Sequence, residues 1–156
     1  MKLGILFKKS YPKFKGYAGS ILGDQHRAKD IVMDVFETLI KKSTDLRTDV
    51  NIEAYAMKAI KNRCLNKLRD EKASLANSEL GLDLAVDQSS RASSDSEVTD
   101  LMKALQRLGV ECNSVLTLFG LGYSYAEIAE VEDCPLGTVM SRMARCRNGL
   151  LSEYVD

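Results

Sequence analysis

The sequence is poor in the residues that build turns and sheets. It contains no Trp, two Pro, ten Gly and four Phe among 156 residues. A β-sandwich or β-barrel needs many short strands joined by turns, and Gly and Pro build most such turns. Their scarcity, together with an ordinary apolar content of 45%, predicts an all-α fold.

Long apolar runs are also missing. The opening residues 3–7 are apolar but too short for the core of a signal peptide, and Lys8 and Lys9 end them. No later stretch approaches the apolar length that spans a bilayer. We therefore expect a cytoplasmic protein without membrane insertion.

The residues that build enzymatic or metal sites are scarce. His26 is the only His, and no carboxylate pair, nucleophile with a base, or phosphate-binding Gly loop accompanies it. The four cysteines are far apart, without the spacing of a metal or redox site, and each lies among apolar residues. We expect no catalytic residue, no metal and no cofactor, and we interpret Cys64, Cys112, Cys134 and Cys146 as buried thiols.

A net charge of zero conceals an uneven distribution of charge. Residues 1–72 carry sixteen Lys and Arg against nine Asp and Glu, residues 73–97 carry one against five, and residues 98–156 carry five against eight. Clustered positive charge attracts phosphate before any specific contact forms. The basic front of the chain therefore indicates a polyanionic partner.

Three helices are predicted in this basic part. Apolar residues recur at helical spacing over 7–22, where we expect Pro12 to start or kink the helix, and Gly23 and Asp24 separate it from a second amphipathic helix over 26–42. A polar stretch over 43–51 leads into a third helix. Its residues 55–69 contain five Lys and Arg and no acid, which favours phosphate contact over simple solvation. Tyr55 could stack on DNA, but its position on the helix favours the core.

Residues 73–97 lose this periodicity and become rich in Ser and Asp. Such a composition buries too little apolar area to offset the entropy of ordering the chain. We interpret this segment as a flexible acidic linker between a domain at 1–72 and a second domain at 98–156.

The second domain has the pattern of a helix-turn-helix. Helices are predicted from about residue 98 to 108 and from about Glu111 to Gly120 or Gly122. Ser124 and Glu127 then form an S-x-x-E capping box, residues 132–134 form a turn, and Pro135 is placed as the first residue of the next helix. That helix exposes hydroxyl and Arg side chains without an acid, as reading a major groove requires.

Three segments resemble the extracytoplasmic-function (ECF) group of bacterial sigma-70-type factors. Residues 122–130 and 133–147 closely resemble the C-terminal helix-turn-helix of that family. Residues 24–40 resemble its core-polymerase-binding helix, and residues 55–69 its promoter-melting helix. The segments occur in the family's order and cover nearly everything except the linker.

The resemblance implies an alternative sigma factor that binds core RNA polymerase and directs promoter-specific initiation. Residues 1–72 would bind polymerase and melt the minus-10 element, with Asn62 and the loop before its helix holding a flipped-out base. The acidic linker would run toward the active-site cleft. Residues 98–156 would recognise the minus-35 element. The implied partners are promoter DNA, the clamp helices of the largest polymerase subunit, the flap of the second-largest subunit and an anti-sigma factor or another recruiting regulator.

The resemblance also assigns individual positions. Met33 and Met140 stand where the family often has Gln and a basic residue, so the resemblance leaves clamp affinity and minus-35 preference undetermined. The residues near the strands of the minus-10 element would be Lys58, Lys61, Asn62, Arg63, Asn66 and Lys67. Those at the minus-35 element would be Thr138, Ser141, Arg142 and Arg145, with Thr138 contacting the DNA backbone. Those facing the clamp helices would be Asp30, Met33 and Asp34.

Two other functions fit parts of the pattern. A sigma-like interaction protein could sequester an anti-sigma factor or another regulator without initiating transcription, but it would not need the basic faces of residues 55–69 and 135–150. An ordinary helix-turn-helix repressor would leave the motifs of the first domain unexplained.

Overall fold

The computed structural model describes residues 2–42, 51–76 and 96–155. Within them the chain forms seven α-helices and no strand, which confirms the predicted all-α class. Among these residues, no helix combines the length and the apolar character that crossing a membrane requires. The helices are α1 (Lys2–Leu22), α2 (Gln25–Lys41), α3 (Ile52–Ala76), α4 (Ser96–Leu108), α5 (Val110–Gly120), α6 (Tyr125–Glu132) and α7 (Leu136–Val155).

Helices α1, α2 and α3 form the N-terminal bundle. Gly23 adopts a positive φ of 73°, which only Gly reaches without strain, and this turns the chain from α1 into α2. Asp24 then caps α2, because its side chain accepts hydrogen bonds from the backbone N–H groups of His26 and Arg27. The predicted apolar stripe of α2 is buried at Ala28, Ile31, Val32, Val35 and Leu39.

We expected Pro12 to start or kink the first helix, but it lies in the interior of α1. The prediction of its position was therefore wrong. An interior Pro costs a helix about 3 kcal/mol, because it removes one backbone hydrogen bond and crowds the preceding turn. The cost is outweighed here because Phe7 lies before Pro12, Phe14 and Tyr17 lie after it, and all three are buried. Each such side chain contributes about 1.5–3 kcal/mol on burial.

Helices α4 to α7 form the C-terminal bundle, in which α6 and α7 make the predicted helix-turn-helix. Ser124 and Glu127 form the complete capping box at the start of α6. Asp133 takes the left-handed conformation with φ 55° and ends that helix. Helix α7 begins one residue later than predicted, since Pro135 precedes it and its carbonyl accepts hydrogen bonds from the backbone N–H groups of Thr138 and Val139.

Two cysteines of the C-terminal bundle form a disulfide. Cys112 of α5 and Cys146 of α7 are joined, with their Cα atoms 5.2 Å apart. The interpretation of these two residues as free thiols was therefore wrong, because helix packing brings together cysteines that are 34 residues apart in sequence. Cys64 is a buried free thiol as expected, and Cys134 is a free thiol that is only partly buried.

The two bundles pack against each other and share one apolar core. Buried side chains of α1, α2 and α3 and buried side chains of α5, α6 and α7 belong to the same cluster. Helix α3 extends to Ala76, four residues into the segment predicted as linker, and residues 77–95 lie outside the described part. We call this packing of one bundle on the other the closed arrangement.

Candidate nucleic-acid interface

The basic side of α3 is divided between solvent and the C-terminal bundle. Lys61 lies four residues after Met57 and three before Cys64, both of which are fully buried, so it borders the apolar stripe. Its side chain is only 17% exposed, and its Nζ lies 3.3 Å from Oε1 of Glu132 on α6. One turn earlier, Nζ of Lys58 lies 3.5 Å from Oδ1 of Asp133. Two predicted DNA contacts therefore face acids of the other bundle.

The remaining predicted minus-10 residues stay within the N-terminal bundle or face solvent. Asn62, Asn66 and Lys67 are exposed on α3. Arg63 donates a hydrogen bond of 2.6 Å from Nη2 to Oγ1 of Thr38, and its Nη1 lies 3.9 Å from Oδ2 of Asp34 on α2. The loop that the resemblance assigns to a flipped base falls mostly on residues 43–50, outside the described residues.

Tyr55 is 39% exposed, so the expectation of a core position was wrong. Its side chain lines a cleft of about 170 Å³ between the start of α3 and α6, together with Asn51, Ala54, Lys58 and Glu130. The pattern of residues 52–60 could not reveal this cleft, because its other wall comes from a helix about seventy residues away.

The predicted reading face of α7 is exposed in part. Ser141 is exposed and donates a hydrogen bond to the carbonyl of Thr138, which is half-buried. Arg145 is exposed, and its Nη2 donates a hydrogen bond of 2.8 Å to Oε1 of Glu111 at the start of α5. This arrangement leaves hydroxyl and guanidinium groups on the outer surface of a capped helix-turn-helix.

Arg142 is much less accessible than Arg145, with 24% of its side chain exposed against 66%. Its Nε lies 3.3 Å from Oε1 of Glu111, and its Nη1 lies 3.6 Å from Oε1 of Glu132. Like Lys61, it borders a buried stripe, since it lies three residues after Val139 and four before Cys146, both buried. Arg142 is therefore held by two acids from different helices.

Glu132 is the important residue that the sequence prediction missed. It was placed in a turn, but it is the last residue of α6, and its side chain is only 2% exposed. A buried carboxylate requires charged or hydrogen-bonding partners. Here they are Lys61, Arg142 and the hydroxyl of Ser114, which donates a hydrogen bond of 2.6 Å to Oε2. The available signal was its spacing of four residues from the buried Ile128.

The hydrogen bonding continues from Glu132 into α1. Because Ser114 donates its proton to Glu132, the hydroxyl of Tyr17 must donate to Oγ of Ser114, at 2.6 Å. Burial raises the pKa of Tyr17 well above its usual value, so this hydroxyl keeps its proton. Glu132 thus connects, directly or through Ser114, to α1, α3, α5 and α7.

The three residues predicted to meet the polymerase lie together on α2. Asp30, Met33 and Asp34 are exposed, and their spacing of three and four residues places them on one side of the helix. The opposite side of α2 is its buried stripe. An acidic surface with Met33, which is 42% exposed, at its centre is therefore open to a partner.

Within the described residues, His, Cys, Asp and Glu form no group of three or more that could hold a metal ion. Burial raises the pKa of the Cys64 thiol to about 12, so this cysteine remains protonated. The polar interactions around Glu132 are ion pairs and hydrogen bonds.

Comparison with known proteins assigns both parts of the chain. Residues 6–74 match the family model of Sigma-70 region 2, and residues 99–148 match that of Sigma-70, region 4. The chain is 23% identical over 147 residues to the ECF RNA polymerase sigma factor EcfG of Rhodopseudomonas palustris (strain TIE-1). That match covers 93% of this chain and 81% of the relative.

Solved structures share the fold. The sigma factor RpoE from Bartonella quintana, crystallised with the anti-sigma factor NepR, matches 98% of this chain and 96% of its own with a TM-score of 0.81 at 23% identity. CnrH in complex with the cytosolic domain of CnrY matches 96% of this chain and 85% of its own with a TM-score of 0.71 at 21% identity. With both signature regions matched in order, the chain belongs to the sigma-70 family as an ECF sigma factor, one of the alternative factors that direct transcription.

Proposed function

We propose that this ECF factor divides promoter recognition between its bundles, with α3 acting at the minus-10 element and α7 at the minus-35 element. The observation that carries the proposal is a pair of polar helix surfaces in one chain. One carries Asn62, Asn66 and Lys67 on α3, and the other carries Ser141 and Arg145 on α7. The family contains transcription factors and not enzymes.

Helix α7 suits duplex DNA. It follows a short capped helix and a tight turn, the geometry that lays a second helix in the major groove. An Arg can bind guanine through two hydrogen bonds, and a hydroxyl can bind a base or a phosphate. We assign base reading to Ser141, Arg142 and Arg145, and backbone contact to the half-buried Thr138.

Helix α3 suits separated strands. Lys58, Lys61, Arg63 and Lys67 would attract the phosphates of an unpaired strand, while the amides of Asn62 and Asn66 can bind base edges. Removing a base from the stack costs a few kcal/mol, which such contacts can offset. We assign capture of an unpaired base to Asn62.

The exposed side of α2 suits core polymerase. Asp30 and Asp34 flank Met33, so the surface combines two negative charges with a flexible apolar centre. We propose that this surface meets the clamp helices of the largest subunit, and that the C-terminal bundle meets the flap of the second-largest subunit.

We also propose an anti-sigma factor as a partner, because the similar RpoE and CnrH structures contain NepR and CnrY. Such a regulator would act in the cytoplasm, where core polymerase is found. We propose separate functions for the three predicted segments of the chain. Residues 1–72 would bind polymerase, residues 73–97 would serve as the linker, and residues 98–156 would recognise the minus-35 element.

Run-off transcription tests the proposal. The full chain, mixed with core polymerase from its own organism and genomic promoter fragments, should give transcripts that start at defined sites. Core enzyme alone is the control and should give none at those sites. Failure of the chain to bind core in a pull-down would overturn the proposal and favour an interaction protein.

A further inference from the structure

We infer that Glu132 is an interdomain latch that holds the free chain in the closed arrangement and occupies two DNA-contacting side chains until core polymerase opens it. The inference rests on the proposed function, because it takes Lys61 and Arg142 to be DNA contacts. It goes further by assigning regulation to the chain's own buried carboxylate.

The latch is one carboxylate shared between the two bundles. Its Oε1 atom lies 3.3 Å from Nζ of Lys61 in the N-terminal bundle and 3.6 Å from Nη1 of Arg142 in the C-terminal bundle. Its Oε2 atom accepts the hydrogen bond from Ser114. Because two oxygen atoms serve three donors from three helices, the carboxylate fixes the minus-10 and minus-35 helices relative to each other.

The latch competes with DNA for the same cations. A phosphate offers Lys61 the same ligand that Glu132 offers, an anionic oxygen, and a base edge offers Arg142 hydrogen-bond acceptors in place of Glu132. Affinity for DNA depends on how many phosphates the protein neutralises, so a chain with these two cations occupied binds DNA more weakly. Asp133 has the same effect on Lys58, through the 3.5 Å pair at the edge of the contact.

Further polar contacts accompany the shared apolar core where the bundles meet. Next to the latch, Oγ of Ser20 donates a hydrogen bond to Oδ1 of Asn113, and Nδ2 of Asn113 donates one to the carbonyl of Ser20. These groups exchange protein partners for water on opening, so each bond contributes little net stability. Opening must also expose apolar side chains that the two bundles bury together, which costs free energy. We expect core polymerase, which binds both bundles in the proposed function, to offset that cost.

Removing the charge of Glu132 tests the latch. Glu132→Gln keeps the shape and an oxygen that can accept from Ser114, but it no longer attracts Lys61 and Arg142. The full-length variant should bind a forked DNA, which has a duplex arm and an unpaired strand, at least about fivefold more tightly than wild type, as measured by fluorescence anisotropy without polymerase. Asp100→Asn is the matched control: it removes one negative charge from an exposed position on α4, outside the ion pairs of Lys58, Lys61 and Arg142, and its affinity should stay within about twofold of wild type.

Cross-linking reports the closed arrangement directly. A carbodiimide joins an amine to a carboxylate that it contacts, and Lys58 and Asp133 are a partly exposed pair of this kind across the two bundles. Mass spectrometry should find this cross-link in the wild-type chain. The yield should fall severalfold in Glu132→Gln and when core polymerase is bound, and it should stay unchanged in Asp100→Asn.

Unchanged DNA affinity together with an unchanged cross-link in a folded Glu132→Gln would overturn the latch. If that variant loses its cooperative thermal transition, Tyr17→Phe replaces it, since this change removes only the hydroxyl bound to Ser114. An increase of about twofold in DNA affinity is then expected, and no increase would equally overturn the latch. Run-off transcripts from the wild-type chain would show that the proposed function stands even when the latch fails.

Discussion

The two bundles carry opposite charge. Residues 1–72 have seven more basic than acidic side chains, and residues 98–156 have three more acidic than basic ones. The excess of positive charge indicated a polyanionic partner, and in the closed arrangement Lys58 and Lys61 meet Asp133 and Glu132. Charge asymmetry in a neutral chain can therefore serve an internal partner as well as DNA.

The bundles also differ in what stabilises them. The N-terminal bundle has an aromatic cluster in which the ring of Phe7 lies 5.0 Å from that of Phe14 and 4.4 Å from that of Phe36. The C-terminal bundle contains the eight-residue helix α6, and the Cys112–Cys146 disulfide ties its α5 to α7. The first depends on burial of large side chains, and the second depends in part on a covalent bond.

The largest effect we expect follows from removing that bond. Cys146→Ser should destabilise the C-terminal bundle by about 4 kcal/mol, because the unfolded chain regains the entropy that closure of a loop of about 34 residues had removed. Hydrogen exchange followed by mass spectrometry, which separates the bundles by peptide, should show lost protection in α5 to α7. Cys134→Ser, which changes a free thiol, is the control and should alter protection little. Equal loss in α1 and α2 would contradict the difference between the bundles.

A second prediction separates the proposed roles of α3 and α7. Asn62→Ala should slow formation of the open promoter complex roughly tenfold and leave initial duplex binding nearly unchanged, because the amide acts on an unpaired base. Arg142→Ala should instead weaken duplex binding by about 1–3 kcal/mol, the contribution of a base contact by Arg. Permanganate footprinting measures the first step, and gel shift of the polymerase complex measures the second.

The control for this pair is Lys103→Ala, which removes a charge from an exposed position on α4 outside both proposed surfaces. Both steps should remain within about twofold of wild type. If Asn62→Ala and Arg142→Ala affected the two steps equally, the division of promoter recognition between the bundles would be wrong.

Local features of the sequence predicted most of the fold. The buried stripe of α2, the break between α1 and α2 at Gly23 and Asp24, and the capping box of Ser124 and Glu127 depend on residues within one or two helical turns. The helix-turn-helix followed from the same kind of signal. Such features are set by backbone geometry and side-chain spacing, which the sequence records directly.

The misses depend on packing between distant segments. Lys61 and Arg142 were predicted on open faces, and each is covered because it borders a buried stripe next to another helix. The disulfide and the exposure of Tyr55 likewise depend on helices distant in sequence. The position of Pro12 was predicted wrongly because burial of aromatic side chains before and after it outweighs the cost of a Pro inside a helix. The clearest missed signal was Glu132, an acid four residues after a core Ile.

The smallest predicted effect concerns Met140, which is 53% exposed on α7 where the family often has a basic residue. Met140→Arg should strengthen binding of duplex DNA by a factor of about three to ten, because it adds one cation to the proposed reading surface. The salt dependence identifies the contact: a new phosphate contact steepens the slope of log K against log salt by about 0.9, for any DNA sequence. A base contact would instead raise affinity for some sequences only.

The control is Leu151→Arg, which adds the same charge to an exposed position on α7 about 16 Å further along the helix. That distance exceeds the screening length of about 8 Å at physiological salt, so the control should bind DNA as wild type does. Equal gains from both variants would show that net charge, and not the position of Met140 on the reading surface, sets the affinity.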